Sequence, residues 1–385
     1  MMIVGWAHGL AFVSIFVIGC WALKDMGAPN FSCSDMSPSA QIPTSVHALK
    51  PADIKIVAAL GDSLTAANGA GAPREDAVAI LLQYRGLAFQ GGGDKGLDGH
   101  ITVPNILRKF NPTIFGYANG VSASDVWEKA HLNLGFPGAE SGDLVGQARQ
   151  LVQLMQTHSE VNVQDDWKLI NIFIGGNDVC AECKDTLNNA TGPHSAIQFG
   201  KNLRDTIQIL YDHLPRTLIS LTGMFNMKML RMVDNGQIFC QGLHVFECPC
   251  ESDKGFTDQQ ISDVCEGYMK AEQDIQDQGI FEKDDFSFVI QPFFEDDIIP
   301  PELANGKIDL DFFAADCFHF SQFGHAAVSK YLWNNLMQPI GQKNRKANLS
   351  NYELDMVCPD PNCPFIRTTK NSKDCTQFFK PTKLY

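Results

Sequence analysis

Ile54-Lys55-Ile56-Val57-Ala58-Ala59-Leu60-Gly61-Asp62-Ser63-Leu64-Thr65 is the stretch that decides the fold. Ile54 through Leu60 is apolar but for Lys55, the pattern of a strand buried on both faces inside a parallel sheet. Gly61 permits a sharp exit, and Asp62 and Ser63 are residue types that open a helix. A serine there stands at the carboxyl end of a strand, where open α/β sheets place their chemistry. Taken alone, Ser63 reads better as a helix cap. The segment Asp316-Cys317-Phe318-His319, far along the chain, supplies what a cap has no use for: a base and a carboxylate to orient it.

With 385 residues the chain can bury a large core, and 44% hydrophobic against 19% charged residues is a globular balance. A formal net charge of -14 argues against a nucleic-acid surface and gives no attraction to anionic lipid, so any contact with a lipid interface must be apolar. Ile3 to Leu23 is an apolar run closed by Lys24-Asp25, with small residues at Cys20 and Ala22. It reads as a cleaved signal peptide over 1–23, or alternatively as an uncleaved membrane anchor. Removing Cys20 leaves 11 of the 12 cysteines, a count that points to a secreted, disulfide-bonded chain with at least one free thiol. Asn30, Asn189 and Asn348 head glycosylation sequons. No apolar run closes the sequence, which argues against a carboxyl-terminal span.

Residues 24–50 read as a leader of little regular structure, 51–342 as one domain, and 343–385 as a cysteine-containing tail. Helices are expected over Val103 to Phe110, Leu144 to His158, Ile197 to Leu214, Thr257 to Gln278 and from Ser321 through Met337. Strands are expected at Ile114 to Tyr117, Lys168 to Ile174, Thr217 to Thr222 and Phe286 to Ile290. This alternation predicts an α/β fold, a parallel sheet covered by helices on both sides. Gly91 to Gly96 lacks the Gly-Lys-Ser/Thr of a phosphate loop and reads as a flexible turn at the rim of the site. Gln237 to Gly255, with Cys240, Cys248 and Cys250, reads as a disulfide-pinned loop outside the sheet.

Ester hydrolysis by serine needs a nucleophile, a base and oxyanion donors. Ser63 is the candidate nucleophile, His319 the base and Asp316 its partner; His325 is a rival base one turn into the following helix. The Ser63 N–H, the bare backbone of Gly138 and the Asn177 amide, which follows a strand in Gly175-Gly176-Asn177-Asp178, are the candidate oxyanion donors. Cys180-X-X-Cys183 fits a structural disulfide better than a zinc or redox site in an exported chain. Glu295-Asp296-Asp297 lacks the spacing of a calcium loop and reads as solvated. Phe293, Phe294, Phe312, Phe313, Phe318 and Phe320 crowd the region of the base, as core or as an acyl pocket.

These residues resemble the GDSL (SGNH) hydrolases, and most closely their phospholipase B branch. Beyond Gly61-Asp62-Ser63-Leu64-Thr65 the likeness runs through Asn68-Gly69-Ala70-Gly71, Tyr84-Arg85-Gly86-Leu87, Pro104-Asn105-Ile106-Leu107 and Asn133 to Ala139. It continues in Phe173 to Asp178 and Gln291 to Phe294, and closes with Asp316 to Ser321 and Gly324-His325-Ala326-Ala327. The resemblance implies a flavodoxin-like three-layer α/β/α fold, catalytic Ser63, Asp316 and His319, and an oxyanion hole of Ser63, Gly138 and Asn177. It implies a phospholipid, lysophospholipid or other lipid-ester substrate, with neutral glyceride, retinyl or carbohydrate esters as the alternative, and neither metal nor organic cofactor. A catalytically silent binding protein on the same scaffold is the competing class, and it would have no use for all five residues. Ala67 departs from the family, which usually has glycine there. Mammalian membrane members carry several repeats and a terminal span, whereas this chain has one unit, so their anchoring is not carried over.

Overall fold

In the computed structural model the described residues are 23–74, 76, 78–185, 191–234 and 237–379. The apolar segment at 1–22 and the sequon at Asn189 lie outside them. The deciding stretch forms β1, Ile54–Gly61, buried throughout except at Lys55, and runs directly into a short helix, α1, Ser63–Ala66. α2 is Val103–Phe110, and α3, Leu144–Thr157, leads to β2, Trp167–Phe173. α4, Gly176–Glu182, and α5, Ala196–His213, precede β3, Thr217–Thr222. After α6, Ile238–Glu247, and α7, Asp258–Gln278, come β4, Phe286–Gln291, and α8, Gln322–Met337.

Among the described residues the central sheet has order β1-β2-β3-β4, every neighbouring pair parallel. All residues of β2, β3 and β4 are buried, as strands sandwiched between helical layers must be. Helices α3, α5 and α7 pack side by side in one layer, and α2 and α8 lie together in the other. This is the three-layer α/β/α arrangement. Even Lys168 in β2 is buried, its ammonium donating to the carbonyls of Val163, Asp166 and Pro215, and burial lowers its pKa to about 8. The helix boundaries follow local chemistry. Ser195, Thr257 and Ser321 accept N-cap bonds from Gln198, Gln260 and Gly324, and Gly279 closes α7 in the left-handed region at φ 62°.

The structure differs from the sequence reading in several places. Ile114 to Tyr117 makes a single bridge to β1, Phe115 with Ile56, rather than a strand. Gly116 explains the interruption: it has φ 103°, and a Cβ there would fall 2.2 Å from the Val57 carbonyl oxygen. Gly92 and Gly93 are tightly packed rather than flexible, since side chains there would meet the Gly86 carbonyl at 2.4 Å and the Tyr117 ring at 2.1 Å. The insert read as a loop is helical, over α6 and Pro249–Ser252. Glu295 is buried and held by Arg345 at 2.9 Å rather than left to solvent, whereas Asp296 is solvent-exposed as expected, with Arg345 at 2.8 Å.

Leader and tail are built into the body. Val46, Leu49 and Ile366 are buried in the main core, Trp167 Nε1 donates to Pro43, and His47 Nδ1 meets Thr368 at 2.8 Å. Among the described residues five disulfides form: Cys33–Cys358, Cys180–Cys248, Cys183–Cys250, Cys240–Cys317 and Cys363–Cys375. Cys180 and Cys183 thus pair with the insert rather than with each other. Cys265 is a free, buried cysteine, its thiol pushed up to about 12 by burial. Among the described residues no helix is long and apolar enough to cross a membrane.

Candidate active site

The exit from β1 places Ser63 as the first residue of α1, with the Asp62 carboxylate capping the Leu64 N–H at 2.9 Å. An N–H in that first turn has no acceptor within the helix, so Ser63 offers both a hydroxyl and a free amide donor. At the other end of the chain, Asp316 and His319 sit on the loop entering α8. Asp316 Oδ1 accepts from the backbone N–H groups of Phe318 and His319, each at 3.0 Å, and its Oδ2 meets His319 Nδ1 at 2.7 Å. His319 Nε2 lies 2.7 Å from Ser63 Oγ. Because Nδ1 faces a carboxylate it carries the ring proton, leaving Nε2 to accept from the serine hydroxyl.

Electrostatics reinforce that assignment of protons. Burial alone would lower the His319 pKa, but the charge and hydrogen bond of Asp316, with Glu247 and Asp62 behind them, outweigh it and raise it. Burial works to raise Asp316, and the His319 charge and the two backbone donors reverse this, so its carboxyl lies below the usual range. Asp62 is pushed up to about 6 by burial, against the Leu64 N–H and the His319 charge.

The Gly138 turn and Asn177, at the start of α4, come together beside the end of β1. The Phe136 N–H donates to the Gly61 carbonyl at 3.0 Å, tying this turn to the end of β1. Gly138 has φ 79°, a conformation suited to glycine, and its backbone is exposed. Asn177 Nδ2 donates to the Ala139 carbonyl at 2.9 Å, leaving its second N–H for another acceptor. Asp178 holds the same loop by accepting from the Ser141 N–H at 2.8 Å and hydroxyl at 2.6 Å.

His325, the rival base, is fully buried. Its Nδ1 accepts from the Phe89 N–H at 3.3 Å and burial drives its pKa well below the ordinary value, so it is a neutral core residue. Of the six phenylalanines near the base, five are buried; Phe318 alone is half-exposed, its ring 5.0 Å from that of His319. Two surface hollows of about 550 and 460 Å³ run along α7, and neither is lined by Ser63, Asp316 or His319.

Two residues that sequence reasoning missed stand behind the Asp316–His319 loop. His244 Nε2 donates to the Asp316 carbonyl at 3.0 Å, while its Nδ1 faces Asp234 at 3.0 Å and Glu251 at 3.7 Å. Both ring nitrogens meet oxygens, which an imidazolium satisfies; burial opposes that charge, but the two carboxylates raise the pKa nonetheless. Glu247 brings a carboxylate within 4.8 Å of the Asp316 and His319 ligand atoms, and burial and the Asp316 charge push it up to about 7. Asp234, His244 and Glu251 have the residue types of a metal cluster, as do Glu247, Asp316 and His319. Both His319 nitrogens are already engaged, by Asp316 and Ser63, and His244 Nε2 is committed to the Asp316 carbonyl. The signal for these positions was the spacing Cys240, His244, Glu247 on one face of a helix, hidden by reading the insert as a loop.

Comparison with known proteins places this arrangement. The family model for GDSL-like lipase/acylhydrolases matches residues 57–332. The chain belongs to that family, and with it to the carboxylic ester hydrolases. The membrane-associated phospholipase B1 of Mus musculus is 39% identical over 349 residues, covering 89% of this chain and 23% of that protein. The Homo sapiens protein of the same name is 40% identical over 348 residues, 88% of this chain and 23% of its own length. The chain therefore spans about a quarter of the length of the curated relatives it matches. An extracellular lipase from Streptomyces rimosus aligns with a TM-score of 0.32 at 14% identity, over 71% of this chain and 95% of that one.

Proposed function

We propose that this chain hydrolyses acyl esters of glycerophospholipids and lysophospholipids through an acyl-enzyme on Ser63, working outside the cell either secreted or tethered by its amino-terminal segment. The observation that carries this reading is the continuous path of 2.7 Å contacts from Asp316 through His319 to Ser63. As Ser63 Oγ bonds to the acyl carbonyl carbon, His319 Nε2 takes its proton and Asp316 stabilises the resulting imidazolium. The oxyanion accepts from the Ser63 and Gly138 N–H groups and from Asn177 Nδ2. Collapse breaks the bond to the glycerol oxygen, which leaves with the proton from His319. Water then adds to the acyl-enzyme, giving its proton to His319, and the fatty acid departs as Ser63 Oγ is reprotonated. Every bond and proton is accounted for by the chain's own groups and water.

Identity of 39–40% to the phospholipase B1 proteins supports the lipid substrate, and five disulfides support an oxidising compartment. The test is a panel of phosphatidylcholine, lysophosphatidylcholine, triglyceride and an acetylated sugar, with phosphonate labelling of Ser63. Fatty-acid release from the two phospholipids, lost in a folded Ser63→Ala variant that also escapes labelling, is the expected result. Release from the sugar or triglyceride alone overturns the substrate, and an active Ser63→Ala overturns the mechanism.

A further inference from the structure

Helix α6 has two faces of opposite character. Its inner face is bound to the catalytic loop: Cys240 is disulfide-linked to Cys317, His244 donates to the Asp316 carbonyl, and Glu247 stands beside His319. Its outer face presents Ile238 and Phe246, each 85% exposed, with Phe239 at 57% and Val245 at 52%. From 238 to 246 the only ionisable side chain is His244, which is buried. Leaving aliphatic and aromatic side chains this open to water is costly, and a soluble core has no use for them there.

The other catalytic loops carry the same feature. Leu81, 74% exposed, lies beside Leu82, whose carbonyl accepts from the Gly69 N–H on the chain leaving α1. Phe136, 59% exposed, hydrogen-bonds to the end of β1 two residues before Gly138. Each of the three loops bearing Ser63, Gly138 and His319 therefore carries or adjoins an exposed large apolar residue.

We infer that α6 docks the mouth of the site onto the surface of a zwitterionic phospholipid aggregate, with Ile238 and Phe246 entering the acyl boundary. This rests on the lipid-ester reading above. The apolar residues are continuous with the loops that hold the reacting groups, which is where an aggregated lipid must be met. The net charge of -14 opposes an anionic surface and leaves apolar insertion as the attraction.

The experiment uses the full chain carrying Ser63→Ala, so that lipid is not consumed, in flotation with phosphatidylcholine vesicles. Vesicle binding is expected, and Ile238→Ser with Phe246→Ser is expected to weaken partitioning about 10-fold or more. With Ser63 intact, the double variant should lose hydrolysis of vesicle phosphatidylcholine by a similar factor. It should keep hydrolysis of a short-chain ester below its micelle threshold. Undiminished partitioning of the double variant, or no vesicle binding by its parent, overturns the inference. So does an equal loss on monomeric and vesicle substrate, which would give α6 a direct part in the chemistry. So also does a change from dimer to monomer in sedimentation without loss of vesicle binding, which would assign the face to a second copy of this chain. Failure of the parent enzyme to hydrolyse phosphatidylcholine, with vesicle binding intact, sinks the substrate reading and leaves the docking result standing.

Discussion

Asp316→Asn is the substitution that asks most of the proposed chemistry, because it changes charge and hydrogen-bond polarity while keeping shape. Asp316 Oδ1 is committed to two backbone N–H groups at 3.0 Å, so the amide oxygen will take that position and the new NH₂ will face His319. An NH₂ donates where Oδ2 now accepts at 2.7 Å, so His319 Nδ1 must become the acceptor and its proton must move to Nε2. Nε2 then presents an N–H to Ser63 Oγ and cannot take the serine proton. A wrong tautomer in such a triad is worth about 10⁴ in turnover, or about 5 kcal/mol in the barrier. The pH dependence gives a second reading. Burial lowers the His319 pKa and Asp316 is the principal group that raises it, so the acidic limb of kcat/KM should move to lower pH in the variant. Hydrolysis of a soluble ester, with active sites counted by phosphonate titration and folding followed by thermal melting, measures both. A folded variant with less than about a 10-fold loss would refute the role given to Asp316.

Three further outcomes follow from other residues. Asn177→Ala should cut kcat about 100- to 1000-fold with little change in KM, because an oxyanion donor acts in the transition state; initial-rate kinetics on the same ester decide it. Ala67 sits at φ 53° in the left-handed region where the family prefers glycine, with its methyl fully buried. Ala67→Gly relieves about 1 kcal/mol of backbone strain and gives back a similar amount in chain entropy and packing, so the melting midpoint should move by about 2 °C or less. Glu247, held up at about 7 in the folded protein against 4.5 ordinarily, keeps a proton over a pH range where the unfolded chain has lost it. Its contribution to stability therefore falls as pH rises from about 4.5 to about 7. Glu247→Gln should accordingly raise the melting midpoint at pH 8 and leave it unchanged at pH 4, and it should shift the acidic limb of kcat/KM downward by removing a charge that raises His319.

What was legible in the sequence was whatever repeats with a period or a cap. The apolar run of β1, broken only at Lys55, the helical spacing of α3 and the Ser321 cap of α8 each announce a local structure that the packed molecule keeps. Ile114 to Tyr117 failed because its strand-like residues flank Gly116, whose φ is decided by the approach of β1 and not by its neighbours. The α6 insert failed because its three cysteines suggested a disulfide-pinned loop, while its apolar residues face outward, where no core pattern explains them. Ser63, Asp316 and His319 could be paired from sequence because their local contexts are distinctive, and the structure does bring them into contact. His244 could not, since its partner is a carbonyl contributed by a segment 72 residues away.

The leader and tail, joined by Cys33–Cys358 and by His47 against Thr368, give this molecule an order of assembly. Pro43, Leu49 and Trp167 emerge from the ribosome long before Ile366, yet the layer they form is closed only once that residue arrives. Closing so distant a contact is slow and leaves apolar surface uncovered in the interim. The nascent sheet must therefore wait, nearly complete, for residues 358–368 to seal what residues 33–49 began.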